Sequence, residues 1–239
     1  MEKENLTKVI ATHTQFSRRK AEELIRLGRV KIDNRPATLG EKIGEEEKIE
    51  IDNVEIKRNN KKLYIKMNKP VGYTCTNKDF LGEKNIFSLI KLDQKLSSIG
   101  RLDKNSSGLI LLTNDGDLNF KLSHPKFEHQ KIYLVEIKEK HMMKSGGFVN
   151  KIKESFLRGL DIGEKTLAKA KKVETINNTT IFKITLSEGK KRQIREMFRY
   201  FDLQVESLQR IEFAGIRLGD LKEGEWKHLE DAEIKTILK

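Results

Sequence analysis

The sequence has a single cysteine, Cys75, in 239 residues. One thiol rules out an intrachain disulfide and a cysteine-ligated zinc site, and such sparing use predicts a reducing, intracellular setting. Long apolar runs are missing as well. Nothing approaches the roughly 20 residues a membrane-spanning helix needs, and the polar, acidic start Met1-Glu2-Lys3-Glu4-Asn5 has no signal-peptide core. A cytoplasmic protein is predicted. The five histidines are scattered without metal-ligand spacing, so no metal is expected. No repeat, low-complexity tail, phosphate-cradling glycine loop or dinucleotide-binding fingerprint is visible.

Positive charge, in contrast, is abundant. Lysine and arginine number 48 against 36 aspartates and glutamates, a formal net charge of +12. A field of that sign suits a polyanion, RNA or DNA foremost, although a lysine-rich surface also serves solubility alone. The excess is uneven: residues 1–60 hold 13 basic and 12 acidic side chains, leaving 35 and 24 for the remainder. Most of the field therefore belongs to the later part of a chain long enough for one small and one larger domain.

Leu6, Val9, Ile10 and His13 stand at helical spacing, and Ser17 is a good N-cap for a second helix through Ala21, Leu24 and Ile25 that Gly28 ends. Arg29–Ile32 alternates as a short strand, and Asp33–Pro36 reads as a turn. The second helix opens on Arg18, Arg19 and Lys20, the unfavourable sign at a helix N-terminus, where each cation costs roughly 0.3–1 kcal/mol. Because helix N-termini attract anions, the cluster is a candidate phosphate clamp; a solvated charged face is the plainer alternative. Residues 41–55 turn acidic around strand-like Ile49, Ile51, Val54 and Ile56, and Arg58–Lys62 reads as a linker.

Leu63–Met67 predicts a strand, Asn68–Tyr73 a turn carrying Lys69, and Ile86–Lys91 a short helix. His124-Pro125 marks a loop, and Lys131–Ile137 alternates as a strand that includes Tyr133. Phe148, Ile152 and Phe156 make a packing stripe on a helix over 147–158. Thr166–Val173 and Thr180–Leu186 read as paired strands around the turn-prone Asn177-Asn178. Ile194, Met197, Phe198 and Phe201 predict an amphipathic helix approached by Lys190, Lys191 and Arg192, with Arg192 and Arg195 on one face. A strand over Val205–Phe213, a loop over Gly219–Gly224 and a helix over Leu229–Leu238 follow.

These elements are organised around Ile99–Gly108, which leads into Leu109, Ile110, Leu111 and Leu112 and the turn Asn114-Asp115-Gly116. One carboxylate, Asp103, sits in a polar, glycine-bounded loop ahead of a run apolar enough for a buried strand. A partly desolvated carboxylate suits a nucleophile or base, although Asp103 taken alone reads first as a turn residue.

The whole string, Gly-Arg-Leu-Asp followed by Ser-Ser-Gly-Leu-Ile-Leu-Leu-Thr-Asn-Asp-Gly, resembles the signature of RsuA-type ribosomal RNA pseudouridine synthases. Ser-Arg-Arg-Lys-Ala-Glu-Glu-Leu-Ile, then Gly-Arg-Val-Lys-Ile-Asp-Asn-Arg-Pro-Ala, is similar to the S-four-like RNA-binding module. Asn68-Lys69-Pro70-Val71-Gly72-Tyr73 resembles the segment that opens the family's catalytic domain, Lys131 and Tyr133 its Lys-x-Tyr segment, and Gly189 to Arg195 its third motif. Members more often carry a basic residue where Asn5 stands and a second arginine where Glu196 stands.

The resemblance implies an α+β fold: an S-four-like domain over residues 1–57, a linker over 58–62, and a synthase domain over 63–239 with a large, mostly antiparallel mixed sheet flanked by helices. It implies Asp103 as the catalytic carboxylate, Arg195 as the guanidinium paired with it, Tyr133 as a stacking platform for a flipped base, and Ile194 as an apolar wall. Arg101 is the candidate to fill the vacated position or hold a neighbouring phosphate. RNA contacts are expected from Arg18, Arg19, Lys20, Arg29, Lys69, Lys190, Lys191 and Arg192. Isomerising uridine to pseudouridine involves no redox change, so no cofactor is expected.

The expected partner is structured RNA, with ribosomal RNA of the large subunit favoured over small-subunit or transfer RNA, and the protein is expected to act as a monomer. A non-catalytic RNA-binding assembly factor would share every basic feature. Retention of Asp103, Tyr133 and Arg195 together favours an enzyme. A DNA-binding regulator would want a recognition helix and a dimer interface, and neither is signalled.

Overall fold

The structure, a computed structural model, describes residues 3–58, 61–76, 82–92, 94–138, 146–176 and 180–238. Met1-Glu2, the middle of the expected linker at Asn59-Asn60, and the expected turn at Asn177-Asn178 lie outside the described residues. The chain forms two compact units. One comprises residues 1–62 with 92–96 and 114–116; the other comprises 63–91, 97–113 and 117–239.

The smaller unit runs β1 (Glu4–Asn5), α1 (Leu6–His13), α2 (Arg18–Arg26), β2 (Val30–Ile32), β3 (Arg35–Pro36), β4 (Lys42–Ile43), β5 (Ile49–Ile51) and β6 (Val54–Glu55). Its antiparallel sheet has the order β3-β2-β5-β6, and β1 pairs with β4. Leu6, Ile10, Leu24, Ile32, Ile43 and Ile49 form its core. Asn5 caps α1, its Oδ1 accepting from the Thr7 amide at 3.0 Å, which no basic side chain at that position would do. Ser17 caps α2 by accepting from the Lys20 amide at 3.2 Å. At the other end Gly28, with φ +67°, turns the chain out of the helix. Arg58, expected in the linker, instead donates to the carbonyls of Gly44, Glu45 and Glu47 at 2.7, 3.0 and 2.5 Å, so it belongs to this unit.

The larger unit continues with β7 (Tyr64–Lys69), β8 (Ser97–Ile99), β9 (Ser107–Thr113), α3 (Gly116–Ser123), β10 (Lys131–Ile137), α4 (Gly146–Arg158), β11 (Lys172–Ile176) and β12 (Ile181–Leu186). Then come α5 (Gln193–Arg199), β13 (Val205–Phe213), β14 (Ile216–Arg217), β15 (Trp226–His228) and α6 (Asp231–Leu238). Its mixed sheet has nine strands among the described residues, in the order β11-β12-β10-β13-β9-β7-β15, with β14 on β13 and β8 on β9. All pairings are antiparallel except β9 with β13. The fold is thus α+β with a mostly antiparallel mixed sheet.

Strand β9 is buried along its whole length, as a continuous apolar run should be. One edge pairs with β7. The other is shared, with β13 beside Ser107 and Gly108 and β8 beside Leu111–Thr113. Helices α4 and α5 meet through Phe156 and Phe198, ring centroids 4.9 Å apart, and Phe198 meets Phe182 of β12 at 5.1 Å. These edge-on contacts set the end of α5 beside the start of β12 and the end of α4.

Three segments depart from expectation. Helix α3 was not signalled, because its only buried anchors are Leu118 and Leu122. Strand β11 begins at Lys172 rather than Thr166; the preceding residues lie along the exit of α4, where Leu160 and Ala168 exchange backbone hydrogen bonds. Gly219–Gly224 is the expected loop, but the short strands β14 and β15 on either side of it were not signalled.

Candidate active site

The loop from Leu102 to Ser106 is held at almost every backbone carbonyl. The Ser106 amide donates to the Asp103 carbonyl at 3.0 Å, and the Gly72 amide to the Lys104 carbonyl at 2.8 Å. From inside, the Lys69 ammonium donates to the carbonyls of Ser106, Pro70 and Lys104 at 2.6, 3.0 and 3.4 Å. From the other side, Arg195 Nη2 donates to the Asn105 carbonyl at 2.6 Å and Nη1 to the Val205 carbonyl at 3.1 Å. Cys75 Sγ bridges the amide and carbonyl of Leu102, each at 3.4 Å. Burial pushes that thiol's pKa up, so it serves here as a neutral hydrogen-bonding group.

Two expectations change on this geometry. Arg195 does not form an ion pair with Asp103, since no pair within 4.0 Å joins Asp103 to any described residue. Its guanidinium is taken by backbone carbonyls, and it lines a separate hollow with Lys138, Arg199 and Gln204. Burial first, then the nearby Arg192, lowers its pKa against the opposing charge of Asp103, so the carboxylate acts at a distance. Lys69 is not an exposed phosphate contact either. Its side chain is fully buried, and burial lowers its pKa. A lysine satisfied by three carbonyls holds a loop; it does not reach for solvent.

Asp103, half-buried, opens on a cavity of about 680 Å³ whose walls include Tyr133, Ile194, Lys131, Arg210 and Phe213. Register explains the convergence. Tyr133 of β10 lies opposite Arg210 of β13, and Arg210 lies beside Gly108 of β9, so one row across three strands ends just past the Asp103 loop. Tyr133 is 9% exposed, with its ring on the cavity wall. Ile194 is buried at the start of α5. Arg101 is exposed at the cavity rim. Among the expected residues the cavity thus gathers Asp103, Tyr133, Ile194, Arg101, Lys190, Lys191 and Arg192, and leaves out Arg195 and Lys69.

The cationic approach to α5 is partly neutralised. Lys190 donates to Glu188 at 2.6 Å. Burial opposes the Glu188 charge, yet Lys190, the Lys169 amide and Gln193 together hold its pKa below the usual range. Lys191 is exposed, and Arg192 stands at φ +54° ahead of the helix. Glu196 pairs with Arg199.

Sequence reasoning missed Arg210 and Lys131 as wall residues. Arg210 is 1% exposed, donates from Nε to the Leu109 carbonyl at 2.7 Å, and lies 4.9 Å from the centroid of Phe213. Lys131 lies 5.7 Å from the same ring. Burial, then the charge of Arg210, lowers the Lys131 pKa. Nothing local singled out Arg210, because its strand also carries Glu206, Ser207, Gln209 and Glu212.

In the smaller unit, Arg18 and Arg19 are exposed on the first turn of α2, while Lys20 pairs with Glu23 at 2.6 Å. Arg29, expected to face RNA, is committed to Asp52 through two hydrogen bonds of 2.7 and 2.5 Å, which raise its pKa and lower that of the carboxylate. No group of three or more potential metal ligands occurs among the described residues. None of the described helices is long and apolar enough to cross a membrane.

Comparison with known proteins places this geometry. Residues 63–200 match the RNA pseudouridylate synthase family and residues 6–49 match the S4 domain. The chain is 36% identical over 240 residues to the ribosomal large subunit pseudouridine synthase B of Bacillus subtilis, covering 98% of this chain and 95% of the relative. It is 34% identical over 239 residues to the dual-specificity RNA pseudouridine synthase RluF of Escherichia coli K12, covering 98% and 78%. A crystal structure of a pseudouridylate synthase superposes with a TM-score of 0.69 at 28% identity, over 98% of this chain and 99% of the other. With the Asp103 loop, Tyr133 and the start of α5 all inside the matched span, this chain belongs to the RNA pseudouridylate synthase family and carries an S4 domain ahead of its synthase domain.

Proposed function

We propose that this protein, acting as a cytoplasmic monomer, isomerises one uridine to pseudouridine in the ribosomal RNA of the large subunit. The observation that carries the reading is the Asp103 loop. Every carbonyl from Asp103 to Ser106 accepts a hydrogen bond, while the Asp103 carboxylate has no ion-pair partner among the described residues and faces a cavity of about 680 Å³. A nucleophile or base so placed is oriented yet uncommitted, and the space falls in the range of small-ligand pockets, enough for one extruded nucleotide.

In this reading Asp103 attacks or takes a proton, Tyr133 stacks on the flipped base, and Ile194 closes the apolar side. Arg195 acts through the Asn105 carbonyl as a positioning residue. Arg101 at the rim fills the vacated position in the RNA or holds its phosphate, and Lys191 and Arg192 with Arg18 and Arg19 supply the sequence-independent attraction. Extrusion costs a few kcal/mol, offset by these contacts. The large-subunit target is favoured by the name of the Bacillus subtilis relative.

The test is tritium release from ribosomal RNA labelled at carbon five of uridine. Asp103→Asn is expected to lower the rate by at least about 10³-fold while RNA affinity stays within a few fold. Near-normal release by that variant would end the assignment. Mapping pseudouridines in the RNA of both ribosomal subunits and in transfer RNA, with and without the protein, identifies the target; a change confined to small-subunit or transfer RNA would overturn the large-subunit assignment.

A further inference from the structure

Two residues that line this cavity carry a buried side-chain atom without a hydrogen-bond partner, Ser106 at Oγ and Arg210 at Nη2, and only the second is on a cation. Arg210 is nearly inaccessible to solvent, and its Nε is spent on the Leu109 carbonyl, but Nη2 is buried with no hydrogen-bond acceptor. No carboxylate of the described residues lies within ion-pair range of it. An unmet buried donor is costly, the more so on a cation. Lys131, a second cation, sits over the same Phe213 ring. Two like charges on one wall, one of them with a donor unspent, make a site that wants an electron-rich acceptor from outside the protein.

The reading proposed above supplies such an acceptor, and the inference rests on it. When the C1′–N1 bond of uridine breaks, its electron pair stays with the base, and the negative charge spreads over N1 and the two carbonyl oxygens. The base then turns, C5 bonds to C1′, C5 loses its proton to a base, and N1 takes one up, so the product is an isomer of the substrate. We infer that Arg210 donates through Nη2 to a uracil carbonyl oxygen and stabilises the base while it is detached from the sugar. Arg210 is held between Tyr133 and Gly108 in the sheet, so the donor is fixed before the charge develops, the arrangement in which a hydrogen bond contributes most to rate.

The experiment pairs a protein change with a substrate change. Arg210→Met keeps roughly the volume and removes the buried cation, but it also takes the Nε donor from the Leu109 carbonyl, so a modest fall in thermal midpoint is expected and rates are compared well below that midpoint. Its single-turnover rate on the mapped ribosomal RNA fragment is expected to drop roughly 10²–10³-fold with RNA affinity nearly unchanged. RNA carrying 2-thiouridine or 4-thiouridine at the target weakens one acceptor at a time. One of the two should slow the wild type at least about tenfold and slow Arg210→Met no further, the non-additivity of a shared contact. A variant rate within threefold of wild type, or thio effects of equal size in both enzymes, overturns the assignment. If Arg210→Met does not fold, the wild type on the two thio substrates decides, and indifference to both overturns it. Absence of turnover on unmodified RNA sinks the isomerase reading and this inference together, whereas normal turnover without thio sensitivity sinks only the role of Arg210.

Discussion

Gly108 lies against the backbone of Arg210 so closely that a β-carbon placed on it would stand 2.3 Å from the Arg210 carbonyl oxygen and 2.6 Å from its amide nitrogen. The glycine's φ of +103° is also one that other residues rarely adopt. The parallel pairing of β9 with β13 at Arg210 depends on that missing side chain, and through it the end of the Asp103 loop is joined to the cavity wall.

Gly108→Ala should therefore unsettle both. The clash with backbone atoms and the strained φ together predict a loss of about 3 kcal/mol or more, read from urea unfolding. A loss under 1 kcal/mol would mean that the two strands separate easily and that the approach is incidental.

Lys69→Met removes the ammonium that holds three carbonyls, leaving buried acceptors unsatisfied. A destabilisation of about 1–3 kcal/mol is expected, with a fall in single-turnover rate although Lys69 lines no part of the cavity. Urea unfolding and rate measurement on the same preparation separate the two effects, and an unchanged rate would argue that Arg195, Cys75 and the Gly72 amide set the loop without Lys69.

For the S4 domain, Arg18→Ala with Arg19→Ala should weaken RNA binding and reduce the slope of log affinity against log salt by about 2. Lys20→Ala should add less, because its charge is already shared with Glu23. A slope that does not move would place the phosphate contacts elsewhere.

The pKa of His129 is lowered from its ordinary 6.5, chiefly by burial and then by the charges of Lys131 and Lys121, against a hydrogen bond with the Lys121 carbonyl. That of His13 is lowered by burial and by Arg58 and Lys62. With the folded pKa below the unfolded one, the unfolded chain binds more protons in the window beneath 6.5. Stability is thus complete above that value and falls as pH drops through the window. Thermal midpoints from pH 7.5 to 5 should show the decline, and His129→Gln combined with His13→Gln should flatten it; an unaltered slope would assign the decline to other groups.

How far the sequence foretold this site depends on the kind of signal each residue carries. The uniform apolarity of Leu109–Leu112 required burial, so the strand and the loop before it were readable, as were α2 with its serine cap and the stripe on α4. Lys69 was misjudged because lysines are seldom fully buried, and only the fold brings three carbonyls to its ammonium. The acceptors of Arg195 lie 90 and 10 residues away in the chain, and helical spacing carries no information about them. Arg210 was overlooked because the burial pattern of β13 breaks strict alternation, so parity alone does not turn it inward.

Because the Asp103 loop is gripped by its carbonyl oxygens, its course does not depend on the exposed side chain of Asn105, while the Lys104 side chain points outward to Glu83 at 3.1 Å. Side chains at those two positions can therefore change while the carbonyl grip beneath them stays the same. A scaffold of this kind can present different surface groups to its surroundings without moving the Asp103 carboxylate.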